Sequence, residues 1–303
     1  MQGKKFKFIG DAFTACYLAE PEIIEFLNNI TFKDDFHYQF QLHRIEGAGM
    51  IYDNVIHVLV QNPNDLQYML FGKLCYSDKR KDIAGNTYVW FYTDNEALYT
   101  PFYKDVSILP FLSSITQELG LIENNITTID IACDSNVNLA KRIKRAILNE
   151  NILPIVNRKP YNDNREKIKG VRFSYGINQI RLLDVALWIK QNTKDGGFEM
   201  KGYDKGEEIE ESEKDYITEW LDMKHPYRLE IHLKSEQAQE FFEKSPSLQL
   251  AFGNYAKVKP GMLIPALADS NDPLLAQMFY EYSYRLIHFI DKTTGQELSI
   301  FDV

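Results

Sequence analysis

Apolar and polar residues alternate most regularly between Thr127 and Asp134, in the segment Thr-Thr-Ile-Asp-Ile-Ala-Cys-Asp. Alternation with a period of two predicts a β-strand. One face carries Ile129, Ile131 and Cys133, and the other carries Asp130, Ala132 and Asp134. Two carboxylates on one face are unfavourable in a core unless a positive group meets them. Asp134 is expected to neighbour the cap of the following helix rather than to bind an ion.

The same pattern predicts further strands, many of them separated by turn-forming segments. They cover residues 36–44, 50–60, 66–76, 86–92, 170–176 and 227–234. The first four are joined by Glu-Gly-Ala-Gly, Gln-Asn-Pro-Asn and Asp-Ile-Ala-Gly-Asn, so they predict an antiparallel meander. Together with the helical segments below, they indicate an α+β protein with a central, antiparallel-rich sheet.

Helical spacing of apolar residues predicts the remaining elements. They cover residues 20–30, 105–119, 137–150, 177–192, 207–222, 236–244 and 273–290. Gly120 is expected to end the second helix, and Ser135 and Asn136 to cap the third. The segment 273–290 is expected to bury Leu275, Met278, Phe279, Tyr282, Leu286 and Ile290.

The net charge of −9 argues against a generic nucleic-acid binder, which usually has a basic surface. However, residues 141–172 contain ten Lys and Arg against three acids, while residues 204–222 contain nine acids against two lysines. The ten basic residues are Lys141, Arg142, Lys144, Arg145, Arg158, Lys159, Arg165, Lys167, Lys169 and Arg172. They form a candidate DNA-binding surface. Two solvated faces of opposite sign are the simpler alternative.

The composition, with 45% apolar and 25% charged residues, is that of an ordinary soluble globular protein. No segment has the apolar length of a membrane span, and the basic N-terminus lacks the apolar core of a signal peptide, so a cytoplasmic protein is expected. Three widely spaced cysteines suggest neither a disulfide framework nor a zinc site. They are expected to be buried.

The stretch 198–234 contains the residue types needed to cut a phosphodiester and keep the cut end. Tyr203 offers a hydroxyl nucleophile, and Lys205, two residues later, would share its strand face and help the phenol to ionise. Glu230 and His232 also stand two apart in a predicted strand, so both could bind one ion. Taken singly, a tyrosine such as Tyr203 is more often a packing residue than a nucleophile. Glu230 and Arg228 are as plausible a plain ion pair as a part of a metal site.

Three segments in this order resemble the replication initiation factor (Rep-trans type) family of plasmid and phage rolling-circle initiators. Thr127–Asp134 is similar to its Thr-Arg-Leu-Asp-Leu-Ala-x-Asp strand. Lys201-Gly-Tyr-Asp-Lys-Gly-Glu-Glu208 is similar to its Arg-Ile-Tyr-(Asn/Asp)-Lys-x-x-Glu signature, and Tyr227-Arg-Leu-Glu-Ile-His-Leu-Lys234 to its Trp-Arg-x-Glu-(Ile/Leu)-x-Leu-Lys strand. The chain departs from the family at Thr128, Lys201, Gly202 and His232.

The resemblance implies an HUH-like sheet and a DNA nicking and joining enzyme that starts rolling-circle replication. Tyr203 would be the nucleophile that holds the 5′ end as a phosphotyrosine, with Tyr175 as the reserve candidate. Lys205, Glu208 and Arg228 would support it, and Asp130, Glu230 and His232 would surround a divalent ion. Oxygen ligands favour Mg²⁺ or Mn²⁺, and the histidine tilts the choice toward Mn²⁺.

The implied partners are double- and single-stranded origin DNA, a host helicase and polymerase, and a second copy of the chain in a homodimer, with no membrane. Residues 1–235 would form the nicking domain, with the meander at 36–92 and the core at 120–235. Residues 236–303 would form a helical region for origin recognition or dimerisation. Two alternatives stay open, namely a non-enzymatic DNA-binding initiator or regulator with the same fold, and a hydrolytic metal-dependent nuclease.

Overall fold

The structure is a computed structural model that describes residues 6–34, 36–37, 40–46, 51–61, 67–99, 108–156, 159–160, 171–174, 187–191, 198–234, 236–238 and 273–303. Its strands are β1 (Phe6–Ala19), β2 (Phe32–Lys33), β3 (Phe40–Arg44), β4 (Asn54–Gln61), β5 (Tyr68–Lys81), β6 (Thr87–Thr93), β7 (Ile122–Ser135), β8 (Ile152–Val156), β9 (Lys159–Pro160), β10 (Val171–Ser174), β11 (Leu187–Gln191), β12 (Phe198–Asp204), β13 (Tyr227–Lys234), β14 (Ile287–Asp291) and β15 (Glu297–Leu298). Its helices are α1 (Pro21–Asn29), α2 (Asn95–Tyr99), α3 (Ile108–Glu118), α4 (Leu139–Leu148), α5 (Lys205–Ser212), α6 (Asp215–Leu221) and α7 (Pro273–Leu286). None of the described helices has the length and apolar character needed to cross a membrane.

The chain divides into two compact units. The meander unit comprises residues 11–129 and 242–255, and the Tyr203 unit comprises residues 1–10, 130–241 and 256–303. Strands β1 and β7 each contribute residues to both units. The functional division at residue 235 stays a prediction.

The meander unit confirms the four predicted hairpin strands. β3, β4, β5 and β6 pair in succession, each antiparallel to the next, and β6 pairs with β1. Residues 6–19 were not predicted as a strand, although they form the long strand β1. The predicted helix start at Pro21 and the helix stop before Gly120, which has a φ of +70°, are both observed.

The Tyr203 unit contains strands in the order β10, β11, β12, β13 and the C-terminal part of β7. The β10–β11, β11–β12 and β12–β13 pairs are antiparallel. A smaller sheet has the order β15, β14, β8 and β9. The large antiparallel sheets and the helices beside them confirm the α+β fold class.

Alternation along β13 and β12 separates a core face from an open face in the Tyr203 unit. Leu229, Ile231 and Leu233 are almost fully buried, whereas Glu230 and His232 between them are partly exposed. Helix α7 packs on the core face, where the rings of Tyr282 and Phe198 meet edge to face. Helix α4 also covers this face, because its apolar side is buried as the spacing predicted.

Gly202 allows α4 to approach β12 closely. A β-carbon at this position would lie 2.6 Å from Leu229 Cδ2 and 2.7 Å from Ala140 Cβ. Both neighbours belong to the packed core, so a side chain here must displace the helix or the adjacent strand. This close approach accounts for a glycine where the resembling family has isoleucine.

We expect Gly202→Ala to lower the free energy of unfolding by about 1–3 kcal/mol, the usual cost of overpacking a core. Denaturant titration would measure it. Lys201→Ala, which alters the neighbouring residue on the open face, is the matched control and is expected to change stability by less than about 0.5 kcal/mol. Equal stability of Gly202→Ala and wild type would contradict the proposed packing.

Two predicted elements need correction. The predicted helix 177–192 is a strand, β11, over Leu187–Gln191, because Leu187 and Ile189 are buried while Trp188 between them is exposed. Residues 177–186 lie outside the described residues. The helix predicted to run to residue 290 ends at Leu286, and Ile290 belongs to β14. Its other five predicted core residues are buried.

Two other helices differ from their predictions, one in its cap and one in its continuity. Helix α4 is capped by Asn138, whose side chain accepts a hydrogen bond of 2.8 Å from the Lys141 backbone N–H, and not by Ser135 or Asn136. The acidic helix is two helices, α5 and α6, because Glu213 adopts a left-handed conformation with φ of +56°. Cys16, Cys75 and Cys133 are buried and unbridged, as predicted.

Candidate active site

The open face of the Tyr203 unit brings residues from β12, β13 and β7 together. In the β12–β13 register, Tyr203 stands opposite Arg228 and Lys201 stands opposite Glu230. Directly opposed residues of antiparallel strands share a face, so these four side chains lie on the side away from α4. The sequence motifs that surround Tyr203 and Glu230 are therefore neighbours in the fold.

The Tyr203 hydroxyl donates a hydrogen bond of 3.2 Å to Glu230 Oε2. Tyr203 and Glu230 are both partly exposed, so the phenol is accessible and is not a core packing residue. Glu230 belongs to the strand beside that of Tyr203 and is two residues from Arg228, which stands directly opposite Tyr203. A carboxylate that accepts the phenolic hydrogen bond is placed to receive the proton if the phenol ionises.

Lys205 approaches Tyr203 from a different direction than predicted. β12 ends at Asp204, and Lys205 is the first residue of α5, so the two residues do not share a strand face. The Lys205 ammonium nevertheless lies 5.9 Å from the centroid of the Tyr203 ring. It is 3% exposed and forms an ion pair with Glu208, which also lies 3.6 Å from Lys214 Nζ.

Two residues that the sequence did not single out hold the start of α5. The Asp204 side chain accepts a hydrogen bond of 3.1 Å from the Glu207 backbone N–H and thereby caps the helix. Its other oxygen lies 2.9 Å from His225 Nε2. An aspartate followed three residues later by glutamate is a helix-start signature, and it was available in the sequence.

Asp130 and His232 form a second pair on the open face. Asp130 Oδ1 contacts His232 Nδ1 across β7 and β13, and the two side chains are 21% and 20% exposed. No group of three His, Cys, Asp or Glu side chains among the described residues is gathered into a metal site. The structure thus places Asp130 with His232 and Glu230 with Tyr203.

Arg228 and Asp134 form a buried ion pair. Arg228 Nε donates to Asp134 Oδ1 at 2.7 Å, and one terminal nitrogen lies 2.6 Å from Oδ2. Both side chains are fully buried, so Arg228 is placed to hold β13 against β7. Asp134 was expected to neighbour a helix cap, and the structure pairs its carboxylate with Arg228.

The predicted DNA-binding residues on α4 lie away from Tyr203. Lys141 and Arg145 are exposed, and Arg142 and Lys144 are partly exposed, on a helix that packs against the core face of the sheet. Lys159 and Arg172 belong to β9 and β10. Arg158, Arg165, Lys167, Lys169 and the reserve nucleophile Tyr175 lie outside the described residues.

Comparison with known proteins finds similarity among solved structures. The chain matches no protein-family model and no curated protein. Among solved structures, a rolling circle replication initiator protein from Geobacillus stearothermophilus is similar over 79% of this chain and 78% of that chain, with 12% sequence identity and a TM-score of 0.44. A likeness at this level does not establish a shared activity, so a functional proposal depends on the site residues themselves.

Proposed function

We propose that the protein is a rolling-circle replication initiator that nicks and rejoins one DNA strand through Tyr203, with a divalent metal ion. The observation that carries the proposal is the accessible phenol of Tyr203, hydrogen-bonded to Glu230 on the sheet face that also bears Asp130 and His232. The three sequence segments that resemble the replication initiation factor family contain these four residues. The resemblance did not specify the hydrogen bond between Tyr203 and Glu230, so this contact is a separate support for the proposal. Origin DNA is the proposed substrate.

In the proposed nicking step, the Tyr203 oxygen attacks a backbone phosphorus and the 3′ oxygen leaves. A 5′-phosphotyrosine bond forms as the bond to the 3′ oxygen breaks. Glu230 accepts the phenolic proton, and the departing 3′ oxygen takes a proton from solvent. In the joining step, a 3′ hydroxyl attacks the phosphotyrosine and Tyr203 recovers its proton. The phosphotyrosine bond retains the free energy of the phosphodiester bond, so the joining step needs no external energy source.

Lys205 is proposed to favour the ionised form of Tyr203. A phenol ordinarily has a pKa near 10, and a nearby cation favours phenolate. Lys205 is buried and fixed by Glu208, while Asp204 and His225 fix the helix that presents it. These contacts hold the Lys205 ammonium near the Tyr203 ring.

The donor types on the open face suit a hard or borderline divalent ion, although the described residues do not gather three of them into one site. Asp130, Glu230 and His232 would hold it, because two carboxylates and an imidazole suit Mn²⁺ or Mg²⁺. Such an ion, when bound, polarises phosphoryl oxygens and stabilises the charge that develops on the leaving oxygen. The pairing of Asp130 with His232 Nδ1 also resembles the way carboxylates orient metal-binding histidines.

We expect His232→Ala to raise the Mn²⁺ concentration for half-maximal adduct formation by at least about 10- to 100-fold, because losing even a group that only supports a metal ligand has an effect of this size. Isothermal titration with Mn²⁺, without DNA, should show the same loss of affinity. His288→Ala, which alters a histidine of the small sheet, is the control. An unchanged Mn²⁺ affinity in His232→Ala would remove this residue from the metal site.

The other proposed partners of the protein are those that the family resemblance implies. A host helicase and polymerase would act on the nicked origin, and a homodimer is the proposed assembly. If the protein binds a specific duplex but forms no nick in any divalent ion, the non-enzymatic initiator becomes the better proposal. Release of a free 5′ phosphate without any covalent adduct would instead favour the hydrolytic nuclease.

A further inference from the structure

A row of side chains crosses the open face beside Tyr203. In register, Trp188 of β11 stands opposite Lys201 of β12, and Lys201 stands opposite Glu230 of β13. These opposed residues share one face, which is the face of Tyr203. Since neighbouring strands lie about 4.8 Å apart, the backbone of Trp188 is about 10 Å from that of Glu230.

Trp188 lies on the exposed side of β11. The residue is 36% exposed, whereas its neighbours Leu187 and Ile189 are 3% and 0% exposed and fill the core face. Leu187 and Ile189, on either side of Trp188, therefore belong to the core of this unit. A large, partly exposed aromatic residue on a strand is suited to stacking on a planar ligand.

Lys201 places a positive charge between this ring and the proposed catalytic pair. Lys201 is partly exposed, and no carboxylate in the described part of the chain forms a salt bridge with it, although Glu230 stands directly opposite. Glu230 instead accepts the Tyr203 hydrogen bond. An ammonium next to an exposed ring is the combination that recognises the phosphate and the base of one nucleotide.

We propose that Trp188 and Lys201 form a subsite for an unpaired nucleotide of the DNA strand that Tyr203 attacks. The base stacks on Trp188, and the adjoining phosphate contacts Lys201. In a duplex the faces of a base are covered by its neighbours, so the subsite selects single-stranded DNA. This subsite rests on the proposed function for its biological role, but binding to it does not require nicking.

The test measures binding of a fluorescently labelled, mixed-sequence single-stranded oligonucleotide by anisotropy. Trp188→Ala is expected to weaken binding about 5- to 100-fold, the effect of losing one base–aromatic stack. Trp188→Phe, which keeps a smaller ring and guards against misfolding of the alanine variant, is expected to retain part of the affinity. Lys201→Gln is expected to reduce the slope of log affinity against log salt by about 0.7, the loss of one phosphate contact.

One control variant tests whether the effect is specific to this face. Trp90→Phe, in the meander unit, should leave binding of the oligonucleotide unchanged. Wild-type affinity in both Trp188 variants would overturn the subsite, whatever the nicking assays show. Weaker binding in Trp188→Ala together with no nicking by the wild type would keep the subsite and overturn the proposed function.

Discussion

Tyr203→Phe is expected to abolish the covalent protein–DNA adduct that wild type forms with supercoiled origin DNA and Mn²⁺. The change removes only the phenolic oxygen, which donates to Glu230, and keeps the ring near Lys205. Loss of a nucleophile leaves no route to the covalent intermediate, so adduct formation should fall by about three orders of magnitude or more. Denaturing gel electrophoresis of labelled DNA measures the adduct.

Tyr227→Phe and Tyr175→Phe are the controls for this experiment. Tyr227 is a partly exposed tyrosine at the start of β13, directly opposite Asp204, so its variant changes the same atom type close to the site. Tyr175 is the reserve nucleophile. The adduct should form in both variants. Survival of the adduct in Tyr203→Phe, or its loss only in Tyr175→Phe, would assign the nucleophile elsewhere.

Arg228→Met is expected to cost about 3–5 kcal/mol of unfolding free energy, the largest stability effect of any substitution discussed here. The arginine and Asp134 form two hydrogen bonds in a fully buried pair. Methionine fills similar space but leaves the Asp134 carboxylate buried without its cation. Urea or guanidinium titration, followed by circular dichroism, measures the loss.

Two further variants show whether the buried charge causes this loss. Lys234→Met removes a partly exposed cation from the same strand and should change stability by less than about 0.5 kcal/mol. The double variant Arg228→Met with Asp134→Leu removes both charges and should recover much of the lost stability, because no uncompensated carboxylate remains. A single variant as stable as wild type would show that the pair does not hold β7 and β13 together.

The sequence predicted two strands of the site, β7 and β13, because alternation is a local signal. The faces of β7 and β13 follow from period two alone, and burial of Ile129, Ile131 and Leu229 agrees with it. The same local signal failed at Leu187–Gln191, because a five-residue run with two apolar residues and a tryptophan fits a helix end as well as a short strand.

The pairings between strands were beyond the sequence because they depend on register between distant segments. Arg228 and Asp134 are 94 positions apart, and His232 and Asp130 are 102 apart. A sequence shows which residues share a strand face but not which strand lies beside it. This is why Arg228 was predicted to support Tyr203 and to pair with Glu230 as the alternative, whereas its buried partner is Asp134.

Helix α5 shows the same limit at shorter range. The spacing of Tyr203 and Lys205 suggested one strand face, but the Asp204 cap turns the chain into a helix between them. The lysine still reaches the ring, from the helix start. The basic residues of α4 are the opposite case, since their clustering was plain in the sequence while their position behind the sheet was not.

Peptide mapping of the trapped protein–DNA adduct tests the central claim most directly. Trypsin cleaves after Lys201 and Lys205, so Tyr203 is released in the four-residue peptide Gly-Tyr-Asp-Lys, well separated from the peptide that contains Tyr175. After nuclease trimming, mass spectrometry should find a nucleotide phosphate on the tyrosine of this short peptide. A nucleotide on any other peptide, or cleaved DNA with no modified peptide, would contradict the assignment of Tyr203 as the nucleophile.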